Sequence, residues 1–128
     1  MTRRKEDLVK YWKDSKLITD EKLLNVFSVV PREAFILPEY LDQAYGDYPL
    51  PIGHEQTISQ PTTVMLMIQA LKPKKTDKVL EVGAGSGYCA AILSRLCKKV
   101  ITTEIIPERC NYARENVKRL KLKNISVV

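Results

Sequence analysis

Histidine and tryptophan occur once each in this chain, cysteine three times and glycine five times. Each scarcity excludes something. The three cysteines, Cys89, Cys97 and Cys110, form no CxxC pair, and the lone His54 is far from all of them in sequence, so no metal centre is expected. Cys89 and Cys97 fall in one predicted helix and read as reduced, space-filling thiols of a cytoplasmic protein. No apolar run approaches the roughly 20 residues of a membrane span. The N-terminus, MTRRKEDLVKYW, is charged from the outset and does not resemble a signal peptide. Repeats and low-complexity tracts are absent as well. What remains is ordinary soluble composition, 45% hydrophobic and 28% charged over 128 residues, enough for one domain with a core.

The net charge of +6 is unevenly spread. Residues 1–60 hold 8 Lys/Arg and 10 Asp/Glu, whereas residues 61–128 hold 13 and 5. The basic residues of the second part are scattered over predicted helix faces and ends, with no aromatic residues between them to stack bases. Nucleic-acid binding is therefore not expected, and solvated helix faces are.

The first 45 residues carry helical patterns. Leu8, Trp12 and Leu17 fall near one face, and Leu23, Leu24 and Phe27 near another, after an Asp20 or Thr19 cap. Pro31 opens a third helical stretch, PREAFIL, which Pro38 closes. A turn-rich stretch follows and ends in PIGHEQTISQP, residues 51–61. That segment holds the only His, a Glu, two Gln, a Thr and a Ser between prolines, more hydrogen-bonding side chains than a connector requires. It reads as a binding loop. Pro61 suits the first position of a helix in which Val64, Met67, Ile68 and Leu71 form a core stripe. After Pro73 come strand KVLEV, helix SGYCAAILSRLC, strand KVITTEI, helix PERCNYARENVKRL and strand NISVV. Such β-α-β-α-β order with short connections predicts parallel strands.

The first of these strands runs into EVGAGSG, with Gly83, Gly85 and Gly87 at every second position. A Cβ there would hinder positive φ and hold off a ligand approaching the backbone. Glu104 ends the second strand, where a carboxylate can accept hydrogen bonds from two ribose hydroxyls. A glycine turn between strand and helix, joined to an acid ending the next strand, points to a nucleoside cofactor. Tyr88 stands where the dinucleotide fingerprint has its third Gly.

The GxGxG spacing resembles motif I of the class I S-adenosylmethionine-dependent methyltransferases. From about Leu23 to Val128, the stretch VPREAFILPEYLDQAYGDYPLPIGHEQTISQP with KVLEVGAGSGY resembles the protein-L-isoaspartate O-methyltransferase family. The resemblance implies a Rossmann-like α/β fold: an N-terminal helical segment and substrate/cofactor loop over 1–60, then the first β-α-β-α-β half of the cofactor domain over 61–128. It implies methyl transfer from S-adenosyl-L-methionine, leaving S-adenosyl-L-homocysteine, to isoaspartyl residues of damaged proteins. Ile52, Gly53, His54 and Glu55 match cofactor-contacting loop positions, as do Gly83, Ala84, Gly85 and Gly87 in the turn and Glu104 and Ile105 after the second strand. Thr57, Ile58 and Ser59 match the substrate-facing segment, with Ser59 at the active-site position. The family often has Gly where this chain has Glu55. Relatives continue past this point into an adenine-binding segment and further strands. The central 78–82 strand is then expected to carry an open edge, available to a C-terminal half-protein or to self-association, and the alternative to an enzyme is a non-catalytic, cofactor-binding half completed by a partner.

Overall fold

A computed structural model of the chain describes residues 4–128, which divide into two compact units, Met1–Lys72 and Pro73–Val128. In the first, α1 (Lys5–Asp14) and α2 (Glu21–Val29) start where acidic side chains accept free backbone N–H groups. The Asp7 carboxylate takes the Arg4 N–H at 2.8 Å, and Asp20 Oδ1 takes that of Leu23 at 3.2 Å, which settles the choice between Asp20 and Thr19 as the α2 cap. Leu8 and Trp12 on α1 and Leu23, Leu24 and Phe27 on α2 are buried, and the Trp12 and Phe27 rings meet edge to face at 4.7 Å. Leu17 lies past the end of α1, and Ile18 is buried instead.

Between Pro31 and Pro38 the expected helix is a single 3-10 turn, Arg32–Phe35, followed by a second at Pro38–Gln43. Two prolines seven residues apart, each pushing its preceding residue to extended backbone, leave no room for a longer helix. Strands β1 (Leu50–Gly53) and β2 (Gln56–Ile58) then pair antiparallel, and α3 (Pro61–Leu71) begins at Pro61 as expected. Its buried face is Val64, Met65 and Ile68. Met67 and Leu71, expected in the core, are instead 67% and 56% exposed. The helix is apolar on most of its circumference, so periodicity alone did not distinguish the two faces.

The second unit contains β3 (Lys78–Val82), α4 (Tyr88–Ser94), β4 (Lys99–Thr103), α5 (Pro107–Arg119) and β5 (Ile125–Val127). The strands are parallel in the order β3-β4-β5, with Val79 opposite Val100 and Val100 opposite Ile125. Ala90, Ala91, Ile92 and Leu93 of α4, Val100 of β4 and Ala113 and Val117 of α5 form its core. Helix α4 stops at Ser94, so Cys97 lies in the turn beyond the helix that Cys89 occupies. Leu80 and Val82 of β3 are 65% and 83% exposed, and nothing within this unit covers that face of the sheet.

The two ends of α3 are tied to other parts of the first unit by side-chain hydrogen bonds. Near its C-terminus, Gln69 Oε1 accepts the backbone N–H groups of Thr19 (2.8 Å) and Asp20 (3.2 Å), while its Nε2 donates to the Leu17 carbonyl (3.1 Å). One carboxamide thus satisfies three backbone groups of the α1–α2 connection. Gln69→Ala is expected to lower unfolding free energy by roughly 1–3 kcal/mol, read from the urea midpoint. Gln69→Glu should recover only part of that, since a carboxylate cannot donate to Leu17.

Candidate functional site

The turn after β3 is built from positive-φ glycines. Gly83, Gly85 and Gly87 have φ of 91°, 54° and 91°, a region that costs an L-residue roughly 1–2 kcal/mol. The space around them differs along the turn. A Cβ on Gly83 would meet nothing within 4 Å and would project into open space above the turn. A Cβ on Gly87 would make ordinary contact with Ala113, 3.5 Å from its carbonyl oxygen, so there it is the positive φ and not crowding that favours glycine. Thr103 at the end of β4 accepts the N–H groups of both Gly83 (2.8 Å) and Ala84 (2.7 Å) on one carbonyl. Asn116 of α5 donates to the Ser86 carbonyl at 2.9 Å, which fixes the far side of the turn.

Glu104 follows directly. Its Oε1 accepts the Gly85 N–H at 3.0 Å and its Oε2 the Ile106 N–H at 3.3 Å. The carboxylate is therefore oriented by backbone donors on both sides while remaining partly exposed. Ile105 beside it is 93% exposed, an apolar side chain held out of the core. Gly83, Ala84, Gly85, Gly87, Glu104 and Ile105 are thereby gathered at one end of the sheet. Open space over glycine, an aligned carboxylate and a free apolar side chain fit a ligand with a hydroxylated sugar and a flat ring.

Glu81, which the motif reading passed over, lies two residues before the turn. Its carboxyl accepts the Thr102 hydroxyl at 2.6 Å and interacts with the Cys89 thiol of α4. Burial pushes this carboxyl up from its ordinary 4.5, the Thr102 and Cys89 hydrogen bonds pull it down, and the Glu104 charge adds to the rise. Burial likewise pushes the Cys89 thiol well up, with Glu81 reinforcing the effect, so Cys89 is no thiolate nucleophile at neutral pH. The only signal for Glu81 in the sequence was an acid inside an apolar strand.

The polar stretch at 51–61 is a β-hairpin, not an irregular loop. Leu50 pairs with Ile58 and Pro51 with Thr57, and the register shifts before Gly53 meets Gln56. His54 and Glu55 form the two-residue turn with φ of 52° and 57°, values at which neither residue type is comfortable. Leu50, Ile52 and Ile58 point inward and are buried. Gly53, His54, Glu55, Thr57 and Ser59 are exposed, with Ser59 just beyond the last paired residue. The hairpin thus presents the polar candidates and withdraws Ile52 and Ile58. Among the described residues no cluster of metal-ligating side chains occurs.

A parallel half-sheet whose first strand ends in this glycine turn, and whose second ends in an oriented acid, defines the first half of a class I methyltransferase fold. Comparison with known proteins agrees and narrows it. Residues 3–128 match the protein-L-isoaspartate(D-aspartate) O-methyltransferase family, and the chain belongs to that family. A protein-L-isoaspartate O-methyltransferase of Desulfosudis oleivorans is 47% identical over 124 residues, covering 97% of this chain and 56% of that protein. One from Methanoregula boonei is 49% identical over 111 residues, covering 87% and 51%. The crystal structure of a protein-L-isoaspartate O-methyltransferase from Plasmodium falciparum, in complex with S-adenosyl-L-homocysteine, superposes with a TM-score of 0.83 at 26% identity, covering 98% of this chain and 62% of that one. The chain spans about half the length of the curated relatives it matches.

Glu81 gives this site a pH signature. With its folded pKa raised above the unfolded 4.5, its contribution to stability is full below the unfolded pKa and is lost as pH rises through the folded one. Thermal unfolding of Glu81→Gln, which keeps an acceptor for Thr102 but cannot ionise, is expected to gain on the parent chain between pH 4.5 and pH 7. A stability difference that does not vary with pH would contradict the assignment.

Proposed function

We propose that this chain carries the cofactor turn and substrate hairpin of a protein-L-isoaspartate O-methyltransferase, which methylates the α-carboxylate of L-isoaspartyl residues in damaged proteins. The observation that carries the reading is the pairing, in one chain of this family, of the hairpin Leu50–Ile58 with the turn Gly83–Gly87 and Glu104. S-adenosyl-L-methionine supplies the methyl group on a sulfonium. Glu104 receives the ribose hydroxyls, and Gly83, Ala84, Gly85 and Gly87 let the cofactor lie against the backbone. Exposed Ile105, beside Glu104, offers the cofactor an apolar contact.

The chemistry asks little of the protein in the way of acid or base. An α-carboxylate titrates at about 3.3–3.7 and is already ionised at neutral pH, so no general base is required. What the chain supplies is alignment, which can take roughly 7–11 kcal/mol off the barrier to a two-reactant step. Ser59, exposed at the end of the hairpin, donates its hydroxyl to orient the carboxylate, with exposed Thr57 on the adjoining peptide surface and buried Ile58 anchoring that strand from beneath. His54, exposed at the hairpin turn, is not needed as a base for this step. The three free cysteines support a cytoplasmic location, and among the described residues no helix is long and apolar enough to cross a membrane.

A second reading concerns completion. Among the described residues the β3 strand has no partner on one edge, and Leu80, Val82 and Ile101 lie exposed on one face. An open edge of this kind pairs with another chain, which supports a cofactor-binding half that is completed by a C-terminal half-protein or associates with itself.

Two measurements test these readings. Radiolabelled methyl transfer is expected to an isoaspartyl peptide and not to its aspartyl twin, when the chain is assayed together with the C-terminal half of a relative. Equal labelling of both peptides would sink the enzymatic reading, and labelling by the 128-residue chain alone would remove the need for completion. Separately, Glu104→Ala should weaken cofactor binding by about 1.5–3 kcal/mol, as expected for hydrogen bonds to a charged group, measured by calorimetry. Unchanged affinity would leave Glu104 as a turn-stabilising residue only.

A further inference from the structure

Helix α3 lacks an ordinary N-cap. Gln60 makes no capping hydrogen bond with its side chain, and Pro61 has no N–H, so the first free donor is the N–H of Thr62. That donor is met from far away in sequence. Asp47 Oδ1 accepts the Thr62 N–H at 3.0 Å, and Asp47 Oδ2 accepts the Thr62 hydroxyl at 2.6 Å. The same hydroxyl oxygen accepts the indole N–H of buried Trp12 at 2.9 Å. Thr62 Oγ1 is therefore both acceptor and donor in a chain running from the α1 core to a carboxylate at the foot of the hairpin. Asp47 precedes β1 and Thr62 follows β2, so this two-point contact closes the intervening segment at its base. A negative charge at the start of α3 is also favourable to the helix dipole.

The hairpin has two short strands, a register shift and two strained turn residues, and an isolated two-stranded hairpin is marginal in water. Ser59 lies outside the ladder, with Ile58, paired to Leu50, on one side and the Asp47–Thr62 contact three residues on. Its position is set from these two ends. We propose that Asp47 is a positioning residue: by clamping Thr62 it holds the hairpin closed at its base and places Ser59. This inference rests on the methyltransferase reading for its catalytic consequence but not for its structural one.

Amide hydrogen exchange and steady-state kinetics on Asp47→Ala, Asp47→Asn and Thr62→Ser, in the form that shows methyl transfer, test it. In Asp47→Ala, exchange over residues 50–59 should accelerate about tenfold or more, as loss of hydrogen bonds to a charged group implies, with residues 78–128 unchanged. The kcat/KM for isoaspartyl peptide should fall by a similar factor, while cofactor affinity falls much less, since the glycine turn and Glu104 belong to the other unit. Asp47→Asn, which accepts one bond and not the other, should be intermediate, and Thr62→Ser, which keeps both donors, should match the parent chain. Unaltered exchange over 50–59 in Asp47→Ala overturns the clamp, as does an equal loss of peptide and cofactor parameters alongside a general fall in melting temperature. If the parent chain methylates no isoaspartyl peptide, the functional reading fails while the exchange comparison still decides the role of Asp47.

Discussion

The carbonyl of Thr103 is the point on which the glycine-turn end of the sheet depends. A chain leaving β3 through three positive-φ glycines exposes backbone donors that must find acceptors, and Thr103 takes two of them, from Gly83 and Ala84. This is possible only in the observed register, with Val82 opposite Thr103. The next residue is Glu104, whose carboxylate takes the Gly85 N–H. A slip of one residue would remove the shared acceptor and turn Glu104 to the opposite face of the sheet. Glycine turn and acid are thus a single consequence of how β3 pairs with β4, not two features placed independently.

Where sequence and structure agree, one strong local rule was at work. Pro61 opens α3 because proline lacks only a donor that the helix start leaves free anyway, and Asp20 caps α2 because its short carboxylate reaches the N–H three residues on. The β-α-β-α-β order was legible because glycine and proline punctuate it at Pro73, Gly83 and Pro107. That an acid, Glu104, stands at the end of β4 was legible from position alone. The hairpin was not. His54–Glu55 carries none of the Asn-Gly chemistry that announces a tight turn, and two prolines stand in or beside β1. Asp47 and Gln69 were equally hidden, since both act across about fifty or fewer residues of intervening chain on partners that only the fold supplies.

The first unit is a case of polar groups acting where apolar packing is thin. Its hydrophobic cluster lies among α1, α2 and the inner face of α3, while the hairpin contributes only Leu50, Ile52 and Ile58 to buried surface. Holding His54 and Glu55 at positive φ works against the hairpin, by roughly 1–2 kcal/mol for each residue. The Asp47–Thr62 contact adds order from outside the hairpin, at its base. Thr57 and Ser59 are exposed and add nothing to the buried surface, so the order of this segment is imposed in part from its ends.

The same reasoning explains why β3 is the least self-sufficient element of the second unit. One of its faces is committed: Glu81 turns inward to Thr102 and Cys89, beneath α4. An inward carboxyl and the exposed Lys78 are the only features of this edge that discourage pairing, for it has no proline and no bulge within Lys78–Val82. The opposite face carries Leu80 and Val82, whose exposure works against solubility without serving any contact inside the unit. Apolar side chains on both faces of a parallel strand are what a strand flanked and covered on all sides requires. Leu80 and Val82 therefore mark β3 as an interior strand by composition, and burial of that face is the step that would convert its exposed area into stability.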